Sequence, residues 1–191
     1  MLGALSYALD ITEGEQPGHA LRSLAIGMRL AQQVGLGEQE RSELFYGLLL
    51  KDAGCSANSA RVASLFAADD QAFKRASKRA DLSSQTGLAR HMWSGVVPGG
   101  SPLAKARRLR AVAREGEVSR QLYGARCERG ADIALSLELP EASAAAIRAL
   151  DERWDGSGHP LGLGGEAIPL LGRILTVAQA TEVFVRSTAM A

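Results

Sequence analysis

The chain has 191 residues, of which 46% are hydrophobic and 23% are charged, and its formal net charge is +1. This length and composition suit one globular domain or two small lobes, while the near-neutral charge and the 5% aromatic content give no support for direct nucleic-acid binding. The longest apolar runs, such as LFYGLLL, are far shorter than the roughly 20 residues of a membrane span, and no basic leader opens the chain. We therefore expect a cytoplasmic protein with no membrane partner.

Helical spacing of apolar residues dominates the first half of the sequence. It predicts one helix over 19–34 and a second over 38–52, whose LFYGLLL segment is apolar almost all round and should be buried. Glycines follow both, and Gly54 is the expected stop of the second helix. Further short helices are expected at about 60–67, from 69–70 to about 80, and over one or two turns within 84–93. The stretch GVVPGGSP at 95–102 predicts a loop.

The second half predicts three more helices, over 103–139, from 140 to about 154 and over 170–185. Ser101 and Pro102 have the residue types of an N-cap and a first helical position, and a bend or break is expected near Gly116 or Gly124. Between the last two helices lies WDGSGHPLGLGGEAIP (154–169), which is too rich in Gly and Pro for a helix interior or a central strand. No alternation typical of strands occurs. The sequence therefore predicts an all-α helical bundle with one elaborate loop.

Three places in this pattern carry side chains suited to metal or acid–base chemistry. His19 begins the first helix, Asp52 ends the buried second helix, and Asp151 and Asp155 flank the entry to the glycine-rich loop. A carboxylate at the end of an apolar helix is costly unless it is paired, hydrogen-bonded or metal-bound. His and Asp from neighbouring helices are typical ligands of a divalent metal in a helical bundle, although Asp52 could equally pair with a nearby Lys or Arg.

The order of these segments resembles that of the HD-GYP family, a branch of the HD-domain metal-dependent phosphohydrolases. A GHALR segment precedes a buried helix ending in KDAG, and ERWDGSGHP and GLGGEAIP follow near the end of the chain. The resemblance covers roughly 15–55 and 126–185, and leaves 56–125 as a divergent or inserted helical segment. Residues 1–191 are thus expected to form one HD-GYP-like helical domain, cut short at its C-terminus if the family pattern continues further.

The resemblance implies a helical fold with two or three iron or manganese ions, whose bound water attacks a phosphodiester, typically in cyclic di-GMP. Metal ions do this by lowering the pKa of water and by stabilising the growing negative charge. The glycine-rich loop would form a wall of the substrate pocket. The residues expected to bind the substrate are Arg126, Asp155, Gly156, Gly158, His159 and Pro160.

Several family positions carry other residues in this chain. Positions of the family's ligand or loop residues are occupied by Lys51, Cys55, Arg126, Leu150, Asp151, His159 and Gln179. The remaining metal donors are His19 and Asp52, with Asp151 as an oxygen substitute. Charged Lys and Arg side chains cannot ligate a metal. Lys51 and Arg126 could instead take the place of the metals and pair with Asp52 and Asp151, or hold a phosphate.

Three functions remain open on these residues. The first is an HD-GYP-type domain with weak or lost hydrolysis, which binds a cyclic dinucleotide or other phosphate ligand in bacterial signalling and needs no metal. The second is an active metal-dependent phosphohydrolase with iron or manganese at His19, Asp52 and Asp151, helped by His91 or His159, and with Asp52 and Lys51 as catalytic candidates. The third is a structural module that pairs with a protein partner, including a second copy in a homodimer.

Overall fold

Helices form nearly all the regular structure in the computed structural model, which describes residues 2–12, 15–54, 101–104, 106–107 and 116–189. The helices are α1 (Leu2–Thr12), α2 (His19–Gln33), α3 (Glu38–Leu50), α4 (Gly116–Ser136), α5 (Glu141–Arg148) and α6 (Leu170–Ala189), with a 3₁₀ turn at Gly165–Ala167. Within the described ranges no strand occurs, and Asp155 and Gly164 form only an isolated bridge. The all-α prediction is confirmed.

Most helix positions follow the predicted pattern, and three differ. The helix expected from 140 to about 154 ends at Arg148, because the chain turns there and directs the next residues toward α4 and the glycine-rich loop. Of the two positions expected for a bend or break, Gly124 lies inside α4, whereas Gly116 is the residue at which α4 begins. The first helix, α1, was not predicted; its exposed Tyr7 and Ile11 obscure the apolar spacing. The short helices expected within 60–93 lie outside the described residues. The same is true of Cys55 and His91.

A shared hydrophobic core joins α2, α3, α5 and α6. Leu44 and Leu48 of α3 are fully buried, as predicted for the apolar second helix, and they cluster with Leu175 and Ala178 of α6. Gly27 of α2 lets this helix approach closely, because a Cβ there would lie 2.5 Å from Leu48 Cδ1. The core therefore fixes α2, α3 and α6 against one another, and these helices carry the buried polar residues described below.

The turn that follows α3 packs directly onto the backbone of α4. A Cβ at Gly54 would lie 1.9 Å from the carbonyl oxygen of Arg126 and 2.6 Å from the amide nitrogen of Gly130. Only glycine leaves room for such a backbone contact. The sequence predicted Gly54 only as a helix stop. It also lets the turn that carries Lys51 and Asp52 pack against the α4 backbone at Arg126 and Gly130.

The start of α2 is held by a residue of α1. Asp10 is 1% exposed, and its carboxylate accepts hydrogen bonds from the amide nitrogens of Gly18 (2.7 Å) and Ala20 (3.0 Å). A carboxylate at a helix N-terminus satisfies free amide groups and interacts favourably with the helix dipole. Asp10 thereby fixes the end of α2 that carries His19.

No helix of the described residues is long and apolar enough to cross a membrane.

Candidate functional site

A buried lysine ammonium lies between His19 and Asp52. Lys51 Nζ is 2.9 Å from His19 Nε2, and it donates a hydrogen bond to Asp52 Oδ2. The Lys51 and His19 side chains are fully inaccessible to solvent, and that of Asp52 is 4% exposed. Lys51 is the C-terminal cap of α3, where the helix dipole favours a positive charge. The helix C-terminus and the two acceptor atoms thus compensate the charge of this buried side chain.

The other ring nitrogen of His19 faces Glu182 of α6. His19 Nδ1 lies 2.5 Å from Glu182 Oε2. A charged Lys51 can only donate, so Nε2 of His19 accepts and the ring proton lies on Nδ1, which donates to Glu182. The carboxylate therefore orients the imidazole and sets its tautomer, a role that carboxylates also fill beside metal-bound histidines.

Two arginines complete the environment of Glu182. Arg22 Nε donates to Glu182 Oε1 at 2.7 Å, and Arg186 Nε lies 3.5 Å from the same oxygen. Burial alone would raise the pKa of the Glu182 carboxyl. The hydrogen bonds from His19 and Arg22 and the nearby charge of Arg186 outweigh burial and lower this pKa to about 2. Arg186 also pairs with Glu15, so the network reaches from α6 to the segment before α2.

A second ion pair joins α4 to the turn after α5. Arg126 holds Asp151 through two hydrogen bonds, Nε to Oδ2 at 2.8 Å and Nη2 to Oδ1 at 2.5 Å. Such bidentate pairs are among the stronger interactions of protein side chains.

Cys127 Sγ lies 3.2 Å from Asp151 Oδ2. Burial of this thiol, and then the negative charge of Asp151, raise its pKa far above the ordinary value. Cys127 is therefore a thiol donor here and not a thiolate.

The described residues do not fit the metal centre that the resemblance implies. Within the described ranges no three His, Cys, Asp or Glu side chains are grouped so that they could hold a metal ion. His19 Nε2 and Asp52 Oδ2 are two suitable donors, 4.0 Å apart, but the Lys51 ammonium contacts both. Asp151 faces Arg126 instead of joining them. A dinuclear site needs more donors and no competing cation at this position.

The glycine-rich loop is organised by one buried carboxylate. Glu152 is 4% exposed and accepts hydrogen bonds from the amide nitrogens of Leu161 (2.6 Å) and Leu163 (2.8 Å). Gly158 packs against the backbone of residues 152–153, where a Cβ would lie 2.3 Å from Arg153 N. The loop therefore has a fixed shape, while its role as a wall of the substrate pocket, which the resemblance implies, stays a prediction.

The loop adjoins the Arg126–Asp151 pair. His159 N donates to the carbonyl oxygen of Asp151 at 3.0 Å. Residues 156–162 line a shallow pocket of about 260 Å³. At its edge the exposed Asp155 accepts hydrogen bonds from the hydroxyl (2.5 Å) and amide (3.0 Å) of Ser157, which lower its pKa to about 2. The pocket is thus rimmed by a carboxylate that stays charged at neutral pH.

Comparison with known proteins agrees with this architecture. A family model described as HD domain matches residues 109–189. A protein of Vibrio cholerae serotype O1 (strain ATCC 39315 / El Tor Inaba N16961) named 3′3′-cGAMP-specific phosphodiesterase 3 is 42% identical over 185 residues, which are 95% of this chain and 39% of the relative. The crystal structure of a V. cholerae cyclic GMP-AMP-specific phosphodiesterase, V-cGAP3, has a TM-score of 0.65 and 34% identity, over 97% of this chain and 40% of the other.

These similarities support membership of the HD-GYP family. The chain spans about two fifths of the length of the relatives that it matches. The predicted family and helical fold are therefore confirmed, with cyclic dinucleotides as the chemical class that the relatives' names give. Specificity for cyclic di-GMP is not confirmed, because both names give the mixed guanine–adenine dinucleotide.

In this HD-GYP domain the predicted site residues are paired in two sets, and the turn after α3 packs against the backbone of Arg126. His19, Lys51 and Asp52 are together, whereas Arg126 and Asp151 lie beside the loop with its residues Asp155, Gly156, Gly158, His159 and Pro160. Their roles in metal binding, catalysis or ligand binding stay predictions. Sequence reasoning missed Glu182 and Glu152 as positioning residues. Glu152 had a signal, since it lies within the family motif; Glu182 had none, since its partner His19 is 163 positions away.

Proposed function

We propose that this chain is an HD-GYP domain that recognises a cyclic dinucleotide at its glycine-rich loop and does not hydrolyse it. One observation carries the proposal: the buried Lys51 ammonium donates to both His19 Nε2 and the Asp52 carboxylate. These are the two donors that the sequence retains from the family's metal site. A site filled by a protein cation cannot also accept a metal ion between the same two atoms.

The residues of this site cannot supply what phosphodiester hydrolysis needs. Metal ions, when bound, provide an open coordination position for water and a clamp on the phosphate oxygens. A lysine ammonium has one charge and no coordination position, and Lys51 is sealed from solvent. Arg126 donates two hydrogen bonds to Asp151. Its guanidinium is therefore engaged by this carboxylate and does not replace a metal ion. The two ion pairs instead keep the interior charge-balanced.

The loop supports recognition. Its backbone is held by Glu152, and its pocket of about 260 Å³ is lined by Ser157 and His159 among glycines. Small-molecule sites usually occupy about 300–1,000 Å³, so this pocket has room for only part of a dinucleotide. The 42% identity with a relative named for 3′3′-cGAMP supports a cyclic dinucleotide as the ligand.

Binding and turnover are measured separately on the same preparation. The 191-residue chain is treated with a chelator, supplied with Mn²⁺ or anaerobic Fe²⁺, and incubated with 3′3′-cGAMP or cyclic di-GMP. We expect titration calorimetry to show binding of at least one dinucleotide. Liquid chromatography of the same mixtures should show no hydrolysis product. His159→Ala, in the pocket, should weaken binding, whereas the exposed Glu166→Gln, outside the pocket lining, should not. Metal-dependent product formation would contradict the proposal.

A second candidate is an active phosphohydrolase, favoured by the name and identity of the same relative. It requires the ammonium of Lys51 to leave His19 and Asp52 when metal enters. In that case Asp52→Ala abolishes both metal binding and product formation. Turnover by the wild-type chain together with its loss in Asp52→Ala would favour this candidate over the first.

A further inference from the structure

We propose that Trp154 is a stacking platform for one base of the dinucleotide that the glycine-rich loop recognises. Trp154 is 65% exposed, although burying an aromatic side chain of this size ordinarily stabilises a fold strongly. It lies at the entry to the loop, two positions before Gly156, the first residue that lines the pocket. The inference rests on the proposed function, since it names how the same ligand is held outside the pocket.

One face of the indole is ordered by a cation. The guanidinium carbon of Arg173 lies over the ring, 6.0 Å from its centroid. This separation is within the range of a favourable cation–π contact. Because Trp154 keeps 65% of its surface exposed with this contact in place, the opposite face of the ring is open to a ligand.

The backbone that carries Trp154 is tied to the loop. Its carbonyl oxygen accepts a hydrogen bond from Gly165 N at 2.9 Å, and the next residue, Asp155, forms a bridge with Gly164. A Cβ at Gly164 would lie 3.5 Å from the Trp154 carbonyl oxygen and 3.3 Å from Gly156 Cα. Gly164 therefore joins the backbone under the indole to the pocket lining. A ligand that stacks on this ring loses little affinity to ordering of the protein.

The size of the pocket requires a contact outside it. Its volume of about 260 Å³ has room for only part of a dinucleotide, so at least one base lies outside. Bases stack on aromatic side chains, and an exposed indole beside the pocket offers such a surface. The neighbouring carboxylate of Asp155 is partly neutralised by Arg153, whose Nε lies 3.5 Å from Asp155 Oδ1. Repulsion of the ligand's phosphates at this place is thereby reduced.

Fluorescence and titration calorimetry test the inference on the whole 191-residue chain, with 3′3′-cGAMP as the probe. Trp93→Phe removes the other tryptophan, so that emission reports Trp154 alone. We expect the dinucleotide to quench this emission over the same concentrations at which calorimetry shows binding. Trp154→Ala and Trp154→Leu should weaken binding about 5- to 150-fold, the loss typical of one base–aromatic stack, whereas Trp154→Phe should retain most of the affinity.

Two controls separate stacking from other effects. Tyr7→Ala removes another exposed aromatic ring, on α1, and should bind 3′3′-cGAMP as wild type does. Cyclic di-UMP has the same sugar–phosphate ring with pyrimidine bases, which stack more weakly. Trp154→Ala should therefore lower the affinity for cyclic di-UMP less than that for 3′3′-cGAMP. Since the Trp154 side chain is exposed, circular dichroism should show wild-type unfolding for each variant.

Equal affinities of wild type and Trp154→Ala for 3′3′-cGAMP would overturn this inference and leave the proposed function standing. If the wild-type chain binds no dinucleotide, both fail. Self-association in light scattering that Trp154→Ala abolishes, at unchanged dinucleotide affinity, would assign the indole to a protein interface and also overturn the inference.

Discussion

Replacing Glu182 by glutamine tests whether the negative charge behind His19, and not only the shape of the side chain, stabilises the fold. Glutamine keeps the length and one acceptor oxygen for the imidazole, but it removes the charge that faces Arg22 and Arg186. Glu182 is 3% exposed, so solvent screens these interactions little. We therefore expect a large loss of stability at neutral pH.

The size of this loss follows from the pKa of Glu182. Burial would raise it, but the hydrogen bonds from His19 and Arg22 outweigh burial and lower it from 4.5 to about 2. A carboxyl whose pKa is lower in the folded state stabilises the fold above the unfolded-state pKa, and loses that contribution as the pH falls through the folded-state pKa. The two values correspond to about 3 kcal/mol at pH 7, of which about 1 kcal/mol is lost by pH 4.

Urea unfolding followed by circular dichroism gives the required free energies. The free energy of unfolding of Glu182→Gln should be about 3 kcal/mol below that of wild type at pH 7, and the gap should narrow at pH 4. Glu166→Gln, on the exposed 3₁₀ turn, provides the matched control and should follow wild type at both pH values. A gap below about 1 kcal/mol at pH 7, or one that is equal at pH 7 and pH 4, would refute the reasoning.

Three further predictions concern packing, the loop and the buried thiol. Gly54→Ala should lower the free energy of unfolding by at least about 3 kcal/mol, because the added Cβ meets the α4 backbone, whereas Gly47→Ala, with its nearest neighbour at 3.4 Å, should change it by less than about 1 kcal/mol in urea unfolding. Glu152→Gln should cost about 2 kcal/mol and speed hydrogen exchange of the loop amides, and unchanged exchange would contradict this. In a Cys55→Ser background, Cys127 should resist thiol reagents at pH 8 until the chain unfolds, since burial raises its pKa; rapid labelling of the native protein would be incompatible with this placement.

Local patterns in the sequence predict those parts of the fold that depend on neighbouring residues. Apolar spacing places α2 and α3 within two residues of their observed ends, and the density of Gly and Pro locates the loop. Motif positions and charge alone predict two alternatives for Lys51 and Arg126, which are pairing with Asp52 and Asp151 or holding a phosphate. The structure shows the two pairs. In each case the signal lies within one helix or within a motif whose order is known.

Contacts across long sequence separations could not be predicted in this way. Glu182 lies between Thr181 and Val183 in α6, and nothing beside it in the sequence shows that its partner is His19. Nothing beside Asp10 in the sequence shows that it is buried and binds the start of α2. The early end of α5 at Arg148 is set by a tertiary contact as well, the pairing of Asp151 with α4. Tertiary contacts, and not local sequence preferences, determine the partners of Glu182 and Asp10 and the end of α5.

The hydrogen bonds from Gly18 and Ala20 to Asp10 have a practical consequence for where this domain can be cut. A shortened chain that starts after α1 would contain the whole family motif and still lose both acceptors at the start of α2. Its first helical turn would then unravel more readily, and His19 lies in that turn. Asp10 therefore belongs to the smallest unit that can hold the buried histidine in place.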